Sequence, residues 1–280
     1  MAEAFAKINR ELRVGRRRPD GFHEIRSRFS TIDLSDRIEL EEADGFELVC
    51  TGTPVPTGDS NLVARAARAL AGRLGIPPRA RIRLEKRIPP GAGLGGGSSD
   101  AAVALRLLSR LWHSSLEDAE LAEVAASLGS DVPFFLSGGE ADVEGRGERI
   151  QPREDTPRTE LALLVPPFPI ETASVYSAYS RQTGGNRPLA KRLLIENGTT
   201  FLGPNELASA VLKTHPEMKG YLVSAAAAAS EAGITGSGSA IVLFGLTAEA
   251  EKDLERRHPD ATILRASTLG RRDYERRTSL

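Results

Sequence analysis

The chain has 280 residues, 40% of them hydrophobic and 27% charged, with a formal net charge of -1. That is apolar material for one large or two medium cores and excludes a disordered polymer, while the near-zero charge supplies no field to draw nucleic acid or an anionic membrane. The single cysteine, Cys50, excludes an internal disulfide and a cysteine-built zinc site, and in its strand-like run it reads as a small buried residue.

No apolar run approaches the roughly 20 residues of a bilayer span. The first residues lack a signal-peptide core, so the cytoplasm is the expected location. In chain order, Ala6, Ile8, Leu12 and Val14 alternate with Lys7, Asn9 and Glu11, which predicts a strand burying the first set and presenting the second on its opposite face. Ile38 with Leu40, then Phe46, Leu48 and Cys50, predict two strands around Asp44-Gly45. Leu62, Ala66, Ala69, Leu70 and Leu74 have helical spacing between Asn61 and Gly75. Ile82 and Leu84 suggest a strand, and helical stripes follow at Ala102, Leu105, Leu108 and Trp112, then at Leu121, Val124 and Leu128. The polar segment 152–157 has proline at both ends and predicts a domain boundary. Beyond it come a strand over 161–165, helices over 172–180, 205–214, 216–232 and 248–257, and strands over 241–244 and 262–264. The expectation is an α+β chain with domains 1–153 and 154–270 and a polar, disordered tail, 271–280.

The strongest signal is Pro89-Pro90-Gly91-Ala92-Gly93-Leu94-Gly95-Gly96-Gly97-Ser98-Ser99, running straight into an apolar helix. Glycines let the main chain approach a ligand closely, and successive amides form an anion-binding hollow. The helix start adds unpaired N–H groups and a positive dipole end, and Ser98 and Ser99 offer hydroxyls and an N-cap. This describes a phosphate cradle. A flexible linker rarely enters so strongly patterned a helix. Gly91, Gly93 and Gly96 satisfy a dinucleotide-binding spacing, but Pro89-Pro90 disturbs the tight strand-to-helix turn that motif needs. A P-loop is excluded because no Gly-Lys-Ser/Thr follows the glycines.

The segment from Pro90 to Ala102 resembles the glycine motif of the GHMP small-molecule kinases, with two extra glycines. Those glycines are similar to one branch, whose acceptor is a cytidine diphosphate-linked methylerythritol of non-mevalonate isoprenoid biosynthesis. Three further segments support it in the right order: Ala6-Lys7-Ile8-Asn9 followed by Arg18-Pro19-Asp20-Gly21-Phe22-His23-Glu24, then Leu128-Gly129-Ser130-Asp131-Val132-Pro133, then Thr235-Gly236-Ser237-Gly238-Ser239. Phe22 stands where the family generally has tyrosine, Arg10 replaces an apolar residue, and Gly15 is shifted from its usual place before the arginines. The resemblance implies a ribosomal S5 domain 2-like N-terminal domain and a ferredoxin-like C-terminal domain. It also implies ATP with Mg2+, a small-molecule alcohol acceptor, no nucleic acid or membrane partner, and a monomer or weak homodimer. Homoserine- or mevalonate-type kinases, or a silent nucleotide-binding module, are the alternatives.

Within that resemblance Asp131 takes or orients the acceptor proton, and Lys7 pairs with it and offsets charge on the γ-phosphoryl. Asn9 shares Lys7's face of the strand and is assigned to substrate. Phe22 and Tyr176 are the expected stacking partners of the cytosine ring. His23 is expected to read the base edge, and Thr172 is a weaker substrate contact. Asn61 is a helix cap or a nucleotide contact. Gly236 and Gly238 allow the second domain to close on the site. The Arg16-Arg17-Arg18 run fits either an anionic substrate or plain solvation and is left out of the site. No metal-ligand set is visible.

Overall fold

The computed structural model describes residues 1–195 and 200–278. Two long strands, β1 (Ala2–Arg17) and β2 (His23–Glu41), pair antiparallel from Ala2↔Ile38 to Arg17↔His23. β3 (Phe46–Gly52) follows, then α1 (Leu62–Leu74), β4 (Ala80–Lys86), α2 (Gly96–Leu111) and α3 (Asp118–Leu128). A 3-10 turn over Pro133–Leu136 leads into β5 (Glu140–Gly145) and β6 (Arg149–Pro152). On its edge away from β1, β2 takes β4 at Arg37 to Glu41 and β5 at Ile25 to Ser30. The two strands expected around Asp44-Gly45 do form, but they do not pair: β4 lies between them and binds β3 in parallel. The first half of β2 and the strands β5 and β6 are not foreshadowed by any apolar run.

α1 begins where the sequence indicates. The Asn61 side chain accepts from the Val63 N–H, and Gly75 closes the helix in the left-handed conformation, φ 68°. Its stripe packs with α2 and α3 on the sheet through Leu70, Leu105, Ile82, Leu121 and Phe134.

A second sheet holds β7 (Glu160–Val165), β8 (Glu231–Ile234), β9 (Ile241–Phe244) and β10 (Thr262–Ser267) in the order β10-β7-β9-β8, antiparallel throughout. With α4 (Thr172–Thr183), α5 (Ala208–Thr214), α6 (Met218–Ala228) and α7 (Ala248–Arg257), the chain order places the first strand beside the fourth and third. That is the ferredoxin-like arrangement. The helix expected over 216–232 ends at Ala228, since Ser230 binds the Phe244 carbonyl through both N–H and hydroxyl and turns Glu231 into the sheet. The helix expected from 205 starts at Ala208, because the Asn205 side chain is tied to the Leu207, Ile234 and Gly236 backbone.

The tail is not disordered. Arg271–Arg277 forms α8, whose Tyr274 is fully buried and donates its hydroxyl to the Phe135 carbonyl at 2.5 Å. Residues 279–280 of that tail lie outside the described residues.

Both faces of β1 are buried, not one. Ala6 and Ile8 pack against Leu161, Leu163 and Val242 of the second sheet. Lys7, Asn9 and Glu11, on the opposite face as expected, are 3%, 6% and 1% exposed, and Lys7 and Asn9 lie at the floor of a cleft. β1 belongs to the first sheet, and the second sheet covers its Ala6 and Ile8 face.

Candidate active site

The loop before α2 alternates glycine with an apolar residue. Ala92 and Leu94 point into the core with Ile8, Ile88 and Ala240. Gly91, Gly93 and Gly95 between them have φ of 68°, 77° and 72°, a region side chains disfavour. A β-carbon on Gly93 would sit 2.6 Å from the Thr235 carbonyl oxygen, and one on Gly95 2.8 Å from the Phe135 ring. The loop is therefore wedged between the 235–238 turn and the Pro133–Leu136 turn. Its Gly91, Ala92 and Leu94 carbonyls accept from the N–H groups of Ile170, Ala240 and Lys7.

The expected N-cap by Ser98 or Ser99 is not found. Left-handed Gly95 holds the cap position, the helix starts at Gly96, and no side chain caps it. Ser99 is fully buried, and among the described residues its hydroxyl has no hydrogen-bond partner. The N–H groups of Gly96, Gly97 and Ser98 thus have no acceptor within the helix, which is the arrangement that receives an anion.

A cleft of about 1030 Å³ runs along this loop, and the catalytic, nucleotide and substrate residues expected from the sequence line it except Ser99; Gly236 lines it too, while Gly238 packs instead against Ile170 and Ile234. Its floor can be followed contact by contact. Gly97 lies against Leu62, beside Asn61, while Gly95 lies against Lys7 and Phe135. Lys7 Nζ donates to Asn9 Oδ1 at 2.6 Å and stands 3.5 Å from Asp131 Oδ2. It also lies over the Phe29 ring, 4.6 Å from its centre. Burial pushes the Lys7 ammonium below the ordinary lysine value, while Asp131 acts to raise it. Asn9 is fixed in turn: its Nδ2 donates to Ser27 Oγ, and its N–H donates to Thr235 Oγ1. Gly236 closes over this group, its would-be β-carbon 3.1 Å from Asn9 Oδ1.

The aromatic wall differs in detail from the expected pair. Tyr176 stacks on His23, ring centres 5.3 Å apart, and does not face Phe22. Phe22 keeps 46% exposure, with the Arg146 guanidinium 5.0 Å from its ring centre. His23 is buried, and its Nε2 is engaged by Ser180 Oγ at 2.8 Å, so that nitrogen is not free for a base edge. Burial and then the Arg17 charge hold its imidazole below the usual histidine value. Burial, with Asp131 adding to it, raises the Tyr176 phenol. Thr172 and Ser237 join hydroxyls at 2.8 Å across the cleft mouth.

Residues 61–139 match the model of the GHMP kinases N terminal domain. The chain is 41% identical over 262 residues to the 4-diphosphocytidyl-2-C-methyl-D-erythritol kinase of Pelotomaculum thermopropionicum, covering 89% of this chain and 90% of that one. It is 38% identical over 268 residues to the enzyme of that name from Salinibacter ruber, covering 92% and 94%. The chain belongs to the GHMP kinases. A crystal structure of 4-(cytidine 5'-diphospho)-2C-methyl-D-erythritol kinase is similar at a TM-score of 0.79 and 32% identity, covering 96% of this chain and 98% of that one. A mevalonate kinase structure, at 0.65 and 15% identity, shares the fold alone. As a GHMP kinase the chain is an ATP-dependent phosphotransferase.

Sequence reasoning missed one cluster of this GHMP kinase. Lys86 forms ion pairs with Asp36 and with Asp100, the latter at 2.7 Å, and all three are buried. Asp36 also accepts from the Arg87 and Ile88 N–H groups at 2.5 and 2.8 Å. The cluster fixes the chain entering the glycine loop and the first turn leaving it. Burial lifts the Asp100 carboxyl well above its usual value; Asp36 adds to this and Lys86 opposes it. Burial lowers the Lys86 ammonium, but the two carboxylates together keep it above the ordinary value. A signal was present: Ala80, Ile82 and Leu84 share the buried phase of β4, and Lys86 is next in that phase. Arg17, left out with its run, also lines the cleft, as does Arg146. For Arg146 the polar turn offers no signal. Among the described residues no group of three or more His, Cys, Asp or Glu could hold a metal ion, and no helix is long and apolar enough to cross a membrane.

Proposed function

We propose that this chain transfers the γ-phosphoryl group of ATP to the 2-hydroxyl of 4-diphosphocytidyl-2-C-methyl-D-erythritol, a step toward isoprenoid precursors by the non-mevalonate route. The observation that carries the reading is the Lys7–Asp131 pair at 3.5 Å, seated against the glycine loop at Gly95. The relatives named for this reaction, at 41% and 38% identity over nearly the whole chain, supply the acceptor.

In this reading the amides of the loop from Gly91 to Ser98 cradle the triphosphate, with Pro89 and Pro90 lining its entrance, and Asn61 contacts the nucleotide. Asp131 accepts the proton of the acceptor hydroxyl. The new bond joins that oxygen to the γ-phosphorus as the bond to the β,γ-bridging oxygen breaks, and ADP leaves. Lys7 pairs with Asp131 and offsets charge on the transferring group. Phe22, with Tyr176 on its His23 support, holds the cytosine, while Asn9 and Thr172 contact the acceptor. Mg2+, when bound with ATP, would offset charge on the transferring phosphates. The reading carries with it action as a monomer or weak homodimer in the cytoplasm.

The test is ATP-dependent turnover of 4-diphosphocytidyl-2-C-methyl-D-erythritol beside homoserine and mevalonate, with ADP release and the phosphorylated product measured. Efficient conversion of the cytidyl compound alone is expected. Higher kcat/KM on homoserine or mevalonate overturns the reading.

A further inference from the structure

Four cations line the cleft: Lys7, Arg17, Lys86 and Arg146. Lys7 and Lys86 have carboxylate partners. Arg17 lies on the exposed rim and gives its Nε–H to the Gly21 carbonyl. Arg146 is different. It sits in the turn between β5 and β6, half-buried, with no carboxylate among the described residues within ion-pair distance of its guanidinium. Nη2 donates to the Ala126 carbonyl, which anchors the fork, and the flat face lies over Phe22. Glu148, the acid of the same turn, is occupied with the Arg146 backbone N–H.

The next residue, Gly147, packs on the catalytic segment: a β-carbon there would sit 3.1 Å from Ser130 Cβ and 3.5 Å from Asp131 Oδ1. The turn thus carries an uncompensated guanidinium over the exposed Phe22 ring while its next residue packs on Asp131, and all three side chains line one cleft. A substrate whose base stacks on Phe22 and whose hydroxyl meets Asp131 must carry its linker past this point.

We infer that Arg146 binds the diphosphate linking the cytidine to the acceptor alcohol, so that the anionic linker is recognised separately from the base. This rests on the substrate reading above. A planar fork pre-anchored at one nitrogen pairs with phosphate oxygens at small entropic cost, and it completes a half-buried cation that otherwise lacks a counter-charge.

The test measures CDP and cytidine affinity by calorimetry, at low and high salt, for the wild type, Arg146→Ala and Arg146→Lys. The wild type is expected to bind CDP about tenfold or more tightly than cytidine, with the advantage shrinking at high salt. Arg146→Ala should erase most of that advantage and raise KM for the full substrate more than it lowers kcat, with KM for ATP unmoved. Arg146→Lys, which keeps the charge and the turn, should fall between the two. If Arg146→Ala keeps the wild-type ratio of CDP to cytidine affinity, the assignment of Arg146 is wrong and the base pocket stands. If the wild type binds neither compound, the substrate reading fails and takes this inference with it.

Discussion

Lys7 Nζ and Asp131 Oδ2 stand 3.5 Å apart, the lysine side chain 4% exposed and the carboxylate 31%. The cation is sealed beneath an anion that faces the cleft. Asp131→Asn keeps the shape and removes the proton acceptor, so kcat should fall roughly 10²–10⁴-fold. Lys7→Ala should cost a similar factor. ATP affinity should change little in either, as read by calorimetry. Near-wild-type turnover in both variants sinks the assigned roles.

The lowered Lys7 value gives a pH signature. A lysine that acts as a cation fails as it deprotonates, so kcat/KM should fall along an alkaline limb with an apparent pKa below 10.5. Asp131 is the raising influence, so titration of Lys7 by NMR in Asp131→Asn should lie lower still. For stability the sign is that of a depressed base. The unfolded chain binds the proton more strongly, so stability rises with pH between the folded and unfolded values. His23 behaves alike: its folded value lies below 6.5, so stability should decline as pH falls through about 6.5 and level off below the folded value. His23→Gln should flatten that stretch of the profile.

Two loop glycines should respond in opposite ways. Gly93→Ala places a β-carbon 2.6 Å from the Thr235 carbonyl oxygen at φ 77°, so both melting temperature and ATP affinity should drop. Gly97 is helical and its nearest would-be contact is Leu62 Cδ1 at 3.7 Å. Gly97→Ala should therefore stabilise the fold by up to about 1 kcal/mol. Equal thermal shifts of the same sign would contradict the wedged loop.

Lys86→Met leaves two buried carboxylates without their cation. Removing one partner of a buried pair costs about 3–5 kcal/mol, which denaturant melts would register. Lys86→Met with Asp36→Asn and Asp100→Asn should recover part of that loss. A triple variant no better than the single one would count against the ionic account.

Phe22→Ala removes an exposed ring and should barely change stability. The loss of a stacking contact, roughly 1–3 kcal/mol, should instead appear in KM for the cytidyl substrate and not in KM for ATP. A large drop in melting temperature with KM unmoved would assign the ring to packing.

The parts legible in the sequence are those whose physics is local. The glycine loop announces itself because left-handed turns, a core-facing Ala92 and Leu94, and a following helix all lie within a few residues. Asn61 and Gly75 mark their helix for the same reason. Asp131 had no such local mark and was found through resemblance. The polar half of β2 looks like a loop, yet its charges are satisfied across the sheet by Arg28–Asp142 and Arg26–Glu144 pairs, with Arg10–Glu140 alongside in β1. Alanine-rich 225–232 carries a helical signal that Ser230 overrides through Phe244. The apolar signal of α8 is Tyr274 alone, too little to register against its six charged neighbours. Arg146 gains its meaning only from Phe22 and Asp131, which are distant in the chain.

The position of β1 bears on how the protein is made. Tyr179 donates to the Val14 carbonyl, the Leu12 N–H reaches the Pro204 carbonyl, and Phe5 packs with Tyr274. β1 is thus locked by segments made long after it, and Lys7 waits on Asp131 and on the Thr235 turn that fixes Asn9 for its surroundings. A gene split after codon 153 should yield one half with a bare apolar strip at Ala6, Ile8 and Ile32, soluble and active only when its complement is co-expressed.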